Sequence, residues 1–110
     1  MTIQNDEFKE KSQLLKNAVE YSQGSVVSKT IIDKKSGTVT LFAFDEGQKL
    51  SEHTTPYDAL VLIIEGQGEI IINHKKHRVD SENMILMPAH KPHAVNAPSK
   101  FKMLLIMVKD

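Results

Sequence analysis

The sequence predicts an all-β sandwich or barrel preceded by a short N-terminal helix. From residue 25 onward, short apolar and β-branched runs alternate with turn sequences. Runs this short, separated by turns, are typical of antiparallel sandwiches and barrels and not of alternating strand–helix units. At 110 residues the chain is expected to form one domain, with the helix over residues 6–21 and the barrel over residues 25–109.

The helix is predicted from apolar residues that recur at roughly helical spacing among Lys, Glu and Gln. These residues are Phe8, Leu14, Leu15, Ala18 and Val19. Asn5 or Asp6 would cap the helix at its start. We expect this amphipathic helix to cover one end or edge of the barrel.

The strands follow in chain order, each bounded by turn residues. They are predicted over residues 25–32, 38–44, 58–64, 69–72, 77–79, 84–87, 93–97 and 101–108. Gly37, Gly47 and the Gly-Gln-Gly sequence at 66–68 supply the turns. Residues 73–76 are predicted to form a hairpin.

Two of these strands, at residues 59–64 and 103–108, are apolar on both faces. One face of each strand lines the barrel, so the other face must also be covered. A second sheet, the N-terminal helix or another subunit could cover it. We predict a homodimer that uses one of these faces.

Composition limits the partners, the site chemistry and the location that can be expected. Lys plus Arg equal Asp plus Glu at 14 each, which disfavours nucleic acid and anionic membrane surfaces. The chain has no Cys, so disulfides, thiolate metal sites and Cys nucleophiles are excluded. Neither a signal peptide nor a membrane-length apolar run is evident, and a cytoplasmic location is expected.

Two segments resemble the motifs of the cupin family. Gly47 is followed by five residues and His53, and Gly66 closes the phrase. The first cupin motif has this order: Gly, five residues, His-x-His, a Glu, six residues and Gly. Residues 87–93 (Met-Pro-Ala-His-Lys-Pro-His) resemble the second motif, in which Pro-x-Gly-x-x-His presents the last ligand. The resemblance covers about residues 38–108 and implies a double-stranded β-helix, the cupin jelly-roll barrel.

Typical cupins hold a divalent metal with three His and one Glu inside the barrel. In this chain the resemblance assigns the first and last ligand positions to His53 and His93. Thr55 stands at the second His position and Ala59 at the Glu position. Half of the family's ligand set is therefore replaced.

The second motif departs from the family pattern at three further positions. Glu82 stands where its opening Gly is expected, and His90 stands at its second Gly. Ala97 occupies the terminal Asn position, with Asn96 one place earlier.

The resemblance implies a divalent metal, Zn, Fe, Mn, Ni or Cu, at His53 and His93, with His90 as a candidate third ligand. Waters or substrate atoms would have to complete such an open site. The alternative is a metal-free pair of histidines that hydrogen-bond a ligand or each other. No organic cofactor is expected.

The ligand pocket is predicted inside the barrel. If a strand runs regularly through Pro56, then His53, Thr55 and Tyr57 share one face, and Asp58 faces away. The pocket lining is expected to include Thr55, Tyr57, Val61, Ile63 and Leu86.

The function that these features favour is binding of a small molecule in the barrel. The alternative is a metal-dependent cupin enzyme of the dioxygenase, isomerase or decarboxylase type that uses His53 and His93. Metal-free acid–base catalysis, as in cupin epimerases, would need a carboxylate beside a histidine, and none is evident in the sequence. An inert barrel that serves as a dimer scaffold also stays open, and so does the question of enzymatic activity.

Overall fold

A computed structural model describes residues 6–110, which form eight antiparallel strands. The strands are β1 (Val26–Lys34), β2 (Gly37–Phe44), β3 (Lys49–His53), β4 (Asp58–Ile72), β5 (Lys75–Asp80), β6 (Met84–Met87), β7 (His93–Asn96) and β8 (Phe101–Val108). The all-β prediction is confirmed. No helix in the described part of the chain has the length and apolar character needed to cross a membrane.

The strands form two layers joined by β4. The first layer has the order β1-β2-β8-β4-β6, and the second has the order β5-β4-β7-β3. β4 reaches both layers because it bends at Gly66, which has a φ of +79°. A Cβ atom there would lie 2.4 Å from the carbonyl oxygen of Lys100, so only glycine fits the bend.

The continuous β4 corrects one prediction. The sequence predicts two strands, over 58–64 and 69–72, because the Gly-Gln-Gly sequence between them is typical of a turn. The structure keeps the strand unbroken through this point and bends it instead. β3 is a further difference, since no strand is predicted at residues 49–53.

The core fills the space between the two layers. Its largest fully buried side chains include Phe44, Phe101, Ile63, Ile70 and Met103. The rings of Phe44 and Phe101 stack with their centroids 4.6 Å apart. This packing closes the end of the barrel at which β4 bends.

The loops at the other end of the barrel are hydrogen-bonded to one another, and we call this end the histidine end. Its connections are residues 35–36, 54–57, 73–74 and 88–92, together with the stretch after β8. Hydrogen bonds tie Tyr57 to Lys35 (3.0 Å), His90 to Thr55 (2.8 Å), Asn73 to Pro92 (2.7 Å) and Lys109 to Ser36 (2.8 Å).

The predicted helix over residues 6–21 is not formed. The segment contains two single 3-10 turns, Asp6–Phe8 and Leu15–Asn17. Asp6, one of the two candidate caps, begins the first turn. Asn5, the other candidate, lies outside the described residues.

Tertiary contacts explain why this segment, which we call the strap, is irregular. The ammonium of Lys102, only 6% exposed, donates to the carbonyl oxygen of Lys16 at 2.5 Å. In an α-helix that carbonyl would accept from a backbone N–H four residues later. The strap buries Ala18 and Val19 against Leu41 on the outer face of the first layer. It therefore covers part of an outer face, whereas the predicted helix was expected at one end or edge of the barrel.

Candidate functional site

A bulge in β3 sets the direction of His53. Leu50 pairs with Val95 and His53 pairs with His93, so three residue steps in β3 oppose two steps in β7. Side chains alternate between faces along a strand, so the extra residue places both Leu50 and His53 on the inner face. The carbonyl oxygen of Ser51, within the bulge, contacts Nδ1 of His53 at 2.8 Å.

His93 is the first residue of β7 and faces the same interior. On its other side it pairs with Ile72, which packs against the core. His93 is 4% exposed, whereas His53 lies exposed on the edge strand β3. The carbonyl oxygen of Lys91 contacts Nδ1 of His93 at 3.3 Å. The two histidines together span the boundary between core and solvent.

The two rings meet through their Nε2 atoms, which are 3.2 Å apart. A carbonyl oxygen only accepts hydrogen bonds, so the contacts with Ser51 and Lys91 both call for a proton on Nδ1. A neutral imidazole protonated on Nδ1 carries a lone pair on Nε2. Two such lone pairs then converge on one position, and a shared proton or a metal ion there would satisfy both.

The environment keeps His93 in its neutral form. Burial lowers the pKa of His93 below its ordinary value of 6.5, and the neighbouring His53 lowers it further. The bond with the Lys91 carbonyl opposes this shift without cancelling it. Neutral imidazole is the form that binds metal ions.

The interior near the pair is apolar. Five side chains that pack against the core there stay partly exposed: Leu50, Ile72, Ile85, Leu105 and Met107. Ile72 is the direct cross-strand neighbour of His93. An apolar wall with a few convergent polar atoms is typical of small-molecule sites.

Thr55 and Tyr57 do not continue the face of His53, because β3 ends at His53 and β4 begins only at Asp58. The hydroxyl of Tyr57 donates to the carbonyl oxygen of Lys35, at the β1–β2 hairpin. The carbonyl oxygen of Thr55 accepts from the N–H of His90 and so holds the loop at residues 88–92. These two residues hydrogen-bond the loops of the histidine end to one another and are not part of the histidine pair.

The three predicted apolar lining residues separate into two groups. Val61 and Ile63 are 0% and 2% exposed and lie within the core. Leu86 is 54% exposed and pairs with Leu60 on the outer face of the first layer. The inner positions of β6 are those of Ile85 and Met87.

The two positions where the family pattern expects glycine share a backbone conformation. Glu82 has a φ of 69° and His90 a φ of 67°, both in the left-handed region that favours glycine. The geometry that the motif requires is therefore kept although the residues have changed.

The donor pair fits two positions of a metal-binding site. Two imidazole nitrogens that bind one zinc ion at about 2.0–2.1 Å lie roughly 3.3 Å apart at a tetrahedral angle. The observed separation of 3.2 Å matches that value. Within residues 6–110 no group of three or more His, Cys, Asp or Glu side chains is placed to hold a metal, so His90 does not complete a triad.

A shallow groove of about 290 Å³ lies on the opposite face of the second layer. It is lined by Gly47, Gln48, Lys49, Glu69, Asn96, Ala97 and Pro98. The amide of Asn96 donates to Glu69 at 2.9 Å within it, so Asn96 faces away from the histidine pair.

The sequence reasoning missed the two carbonyl groups that orient the histidine rings. Each carbonyl belongs to the residue two positions before its histidine, Ser51 before His53 and Lys91 before His93. Backbone contacts of this kind depend on a bulge and a loop conformation, which leave no clear pattern in one sequence.

Comparison with known proteins shows what the chain resembles. A family profile for the cupin domain matches residues 40–109. No curated protein matches the chain significantly.

Several solved structures are similar to the chain over most of its length. A conserved protein of unknown function from Streptococcus pyogenes is 35% identical with a TM-score of 0.92, and the match covers 100% of this chain and 96% of that one. A cupin superfamily protein from Desulfitobacterium hafniense is 30% identical, with a TM-score of 0.87 and coverage of 93% and 94%. A cupin 2 conserved barrel domain protein from Leptotrichia buccalis is 38% identical with a TM-score of 0.83, and the match covers 86% of this chain and 46% of that one.

Proposed function

Because the chain belongs to the cupin family, we propose that it binds a small organic molecule at the histidine end of the barrel. His53 and His93 are the polar anchor, and their two imidazoles would hold a divalent metal ion. The observation that carries the proposal is the 3.2 Å separation of two Nε2 atoms whose Nδ1 atoms both contact carbonyl oxygens.

Each histidine has its own task in this function. His93, buried and neutral, supplies a nitrogen that is fixed by the surrounding core. His53 is exposed on the edge strand, so a molecule arriving from solvent meets it first. The ion, when bound, offers further coordination positions to oxygen or nitrogen atoms of the ligand. The apolar part of the ligand packs against side chains such as Leu105 and Met107.

Zinc binding to the chelator-treated protein tests the anchor. Calorimetric titration with Zn²⁺ should show one ion per chain, and His53→Ala or His93→Gln should weaken binding at least tenfold, because either change removes one of the two protein ligands. His74→Ala is the matched control, since His74 lies 3.3 Å from Glu52 at the surface and is not part of the pair. A wild-type protein that binds no zinc, or a control that loses as much affinity as His53→Ala, would contradict the proposal.

A second copy of the chain is the proposed partner of the outer face of the first layer. One apolar row crosses all five strands of this layer: Ile32, Val39, Ile106, Leu60 and Leu86 are successive cross-strand neighbours. Ile32 is 48% and Leu86 is 54% exposed, so the strap leaves both ends of the row uncovered. The row crosses five strands about 4.8 Å apart, so it is roughly 20 Å long, and a second copy that covers it would remove its exposed apolar ends from water.

A further inference from the structure

The histidine pair belongs to a longer row of residues on the inner face of the second layer. Lys75 pairs with Ile72, Ile72 pairs with His93, and His93 pairs with His53. Cross-strand partners project from the same face of a sheet. Since Ile72 packs against the core, Lys75 also lies on the inner side, at the rim of the barrel.

The hairpin between β4 and β5 fixes the position of Lys75. Asn73 and His74 have φ values of 50° and 69°, which are typical of a tight two-residue turn. Two strand spacings of about 4.8 Å place the Cα atoms of Lys75 and His93 roughly 10 Å apart. A small molecule can bridge this span, with one end at the histidines and the other near the lysine ammonium. No acidic side chain within residues 6–110 forms an ion pair with Lys75.

The charges around this rim are unbalanced although the whole chain has a formal net charge of zero. The connections and strand ends at residues 33–36, 52–58, 73–76, 88–92 and 109–110 carry six lysines and four acidic residues. Two of the four acids are already engaged: Glu52 contacts His74 at 3.3 Å, and Asp58 accepts from the N–H of Ala89 at 2.9 Å. An apolar rim with an excess of positive charge favours anions.

From this arrangement we infer that the ligand of the histidine end is an organic anion, a carboxylate with a short apolar body, and that Lys75 is its charge partner. The inference rests on the proposed function, because it names the class of ligand for the same site. The apolar body contacts the partly exposed side chains of the interior, and the carboxylate lies near the ammonium of Lys75.

Lys76 provides a matched control for Lys75. It is the next residue of the same strand and is likewise exposed, but it pairs with Ile71, which pairs with Ala94 on the outer face. A charge reversal at Lys76 changes the net charge of the protein as much as one at Lys75. Only the change at Lys75 alters the inner rim.

The test is an NMR titration of the zinc-loaded protein with straight and branched carboxylates of four to eight carbons and with the matching neutral amides. We expect the carboxylates to bind at least tenfold more tightly than the amides. Lys75→Glu should weaken carboxylate binding roughly three- to tenfold, the range for reversal of one partly screened charge. Lys76→Glu should change it less than twofold.

The outcomes separate this inference from the proposed function. Amides that bind as well as carboxylates and perturb the His53 and His93 signals would overturn the anion inference and leave the proposed function in place. Equal losses in Lys75→Glu and Lys76→Glu would overturn the role of Lys75. If neither class perturbs the histidine signals in the wild type, the proposed function falls and the inference falls with it.

Discussion

Single residues in two turns of the barrel carry backbone conformations that the amino-acid types do not favour. His90 has a φ of 67° and Glu82 a φ of 69°, at the two positions where the cupin pattern expects glycine. A residue with a side chain in this conformation costs about 1–2 kcal/mol relative to its ordinary backbone states. The barrel therefore keeps two turns that its own residues disfavour.

Replacing His90 with glycine tests this account. His90→Gly should raise the free energy of unfolding by about 1 kcal/mol, because glycine adopts positive φ without a steric penalty. Urea denaturation measures the change, and His90→Ala, which keeps a Cβ atom, is the control. Zinc affinity should be unchanged, since His90 is not grouped with the pair. A loss of stability in His90→Gly, or a loss of zinc affinity, would contradict this account.

The lowered pKa of His93 predicts a dependence of stability on pH. The unfolded chain takes up a proton near the ordinary pKa of 6.5, whereas the folded protein resists protonation of this buried ring. The stabilisation is therefore present above pH 6.5 and is lost as the pH falls through the lower pKa of the folded state. In metal-free protein, Tm should decrease between pH 7 and pH 5 more steeply for the wild type than for His93→Gln. Equal slopes would show that His93 does not titrate in this way.

At the scale of single residues, the sequence located the two histidines of the site correctly but did not predict what the other proposed site residues contact. The motif spacing located His53 and His93, forty residues apart, and the structure brings their rings together. The orientation of Tyr57 was beyond the sequence, because its hydroxyl bonds to Lys35 in a hairpin that is distant along the chain. Leu86 was expected from the sequence to line the pocket, and the pairing with Leu60 places it on the outer face.

Among the elements, β3 is the one on which the site depends. Its bulge absorbs one extra residue between Leu50 and His53, so both side chains face inward although they stand three residues apart. The bulge also hides the strand from pattern reasoning, because it breaks the alternation of apolar and polar residues. The helix predicted over residues 6–21 is absent for a different reason. Lys102, a buried lysine of β8, donates to the carbonyl oxygen of Lys16, which a helix would need for its own backbone hydrogen bond.

Deleting Glu52 tests the role of the bulge. Without the extra residue, His53 stands two residues after Leu50, and regular alternation keeps both side chains on the inner face, opposite Val95 and His93. We therefore expect zinc affinity within about threefold of the wild type, with a change in Tm of only a few degrees because β3 is an edge strand. Deletion of both Ser51 and Glu52 is the contrast, since it places His53 directly after Leu50 and so on the outer face, and zinc affinity should then fall at least tenfold. A tenfold loss in the single deletion, or normal zinc binding by the double deletion, would contradict the role given to the bulge.

At the scale of the whole molecule, the strap covers one part of the outer face of the first layer and leaves another part for the proposed second copy. The strap buries the part around Leu41 and Ala43, and the row from Ile32 to Leu86 is left partly exposed. The sequence predicted from the doubly apolar strands that both faces would be covered. The sequence could not show which part of the outer face the strap covers, because that depends on how an irregular segment lies across the sheet.

The proposed dimer is tested by light scattering coupled to gel filtration. The wild type should have the mass of two chains at micromolar concentration, because the exposed apolar row is then buried between copies. The double variant Ile32→Glu, Leu86→Glu should run as a monomer. Leu14→Glu is the control, since Leu14 is equally exposed, at 60%, but lies on the strap. A monomeric wild type, or a control that dissociates equally, would contradict the proposed interface.

The proposed function depends most on the geometry of the two imidazoles, and long-range ¹H–¹⁵N correlation spectra of the histidine rings test that geometry directly. In metal-free protein at pH 7.5 we predict that both His53 and His93 carry a proton on Nδ1. One equivalent of Zn²⁺ should then shift the Nε2 resonances of both rings together. A proton on Nε2 in place of Nδ1 in either ring, or a zinc ion that shifts neither Nε2 resonance, would contradict the central claim.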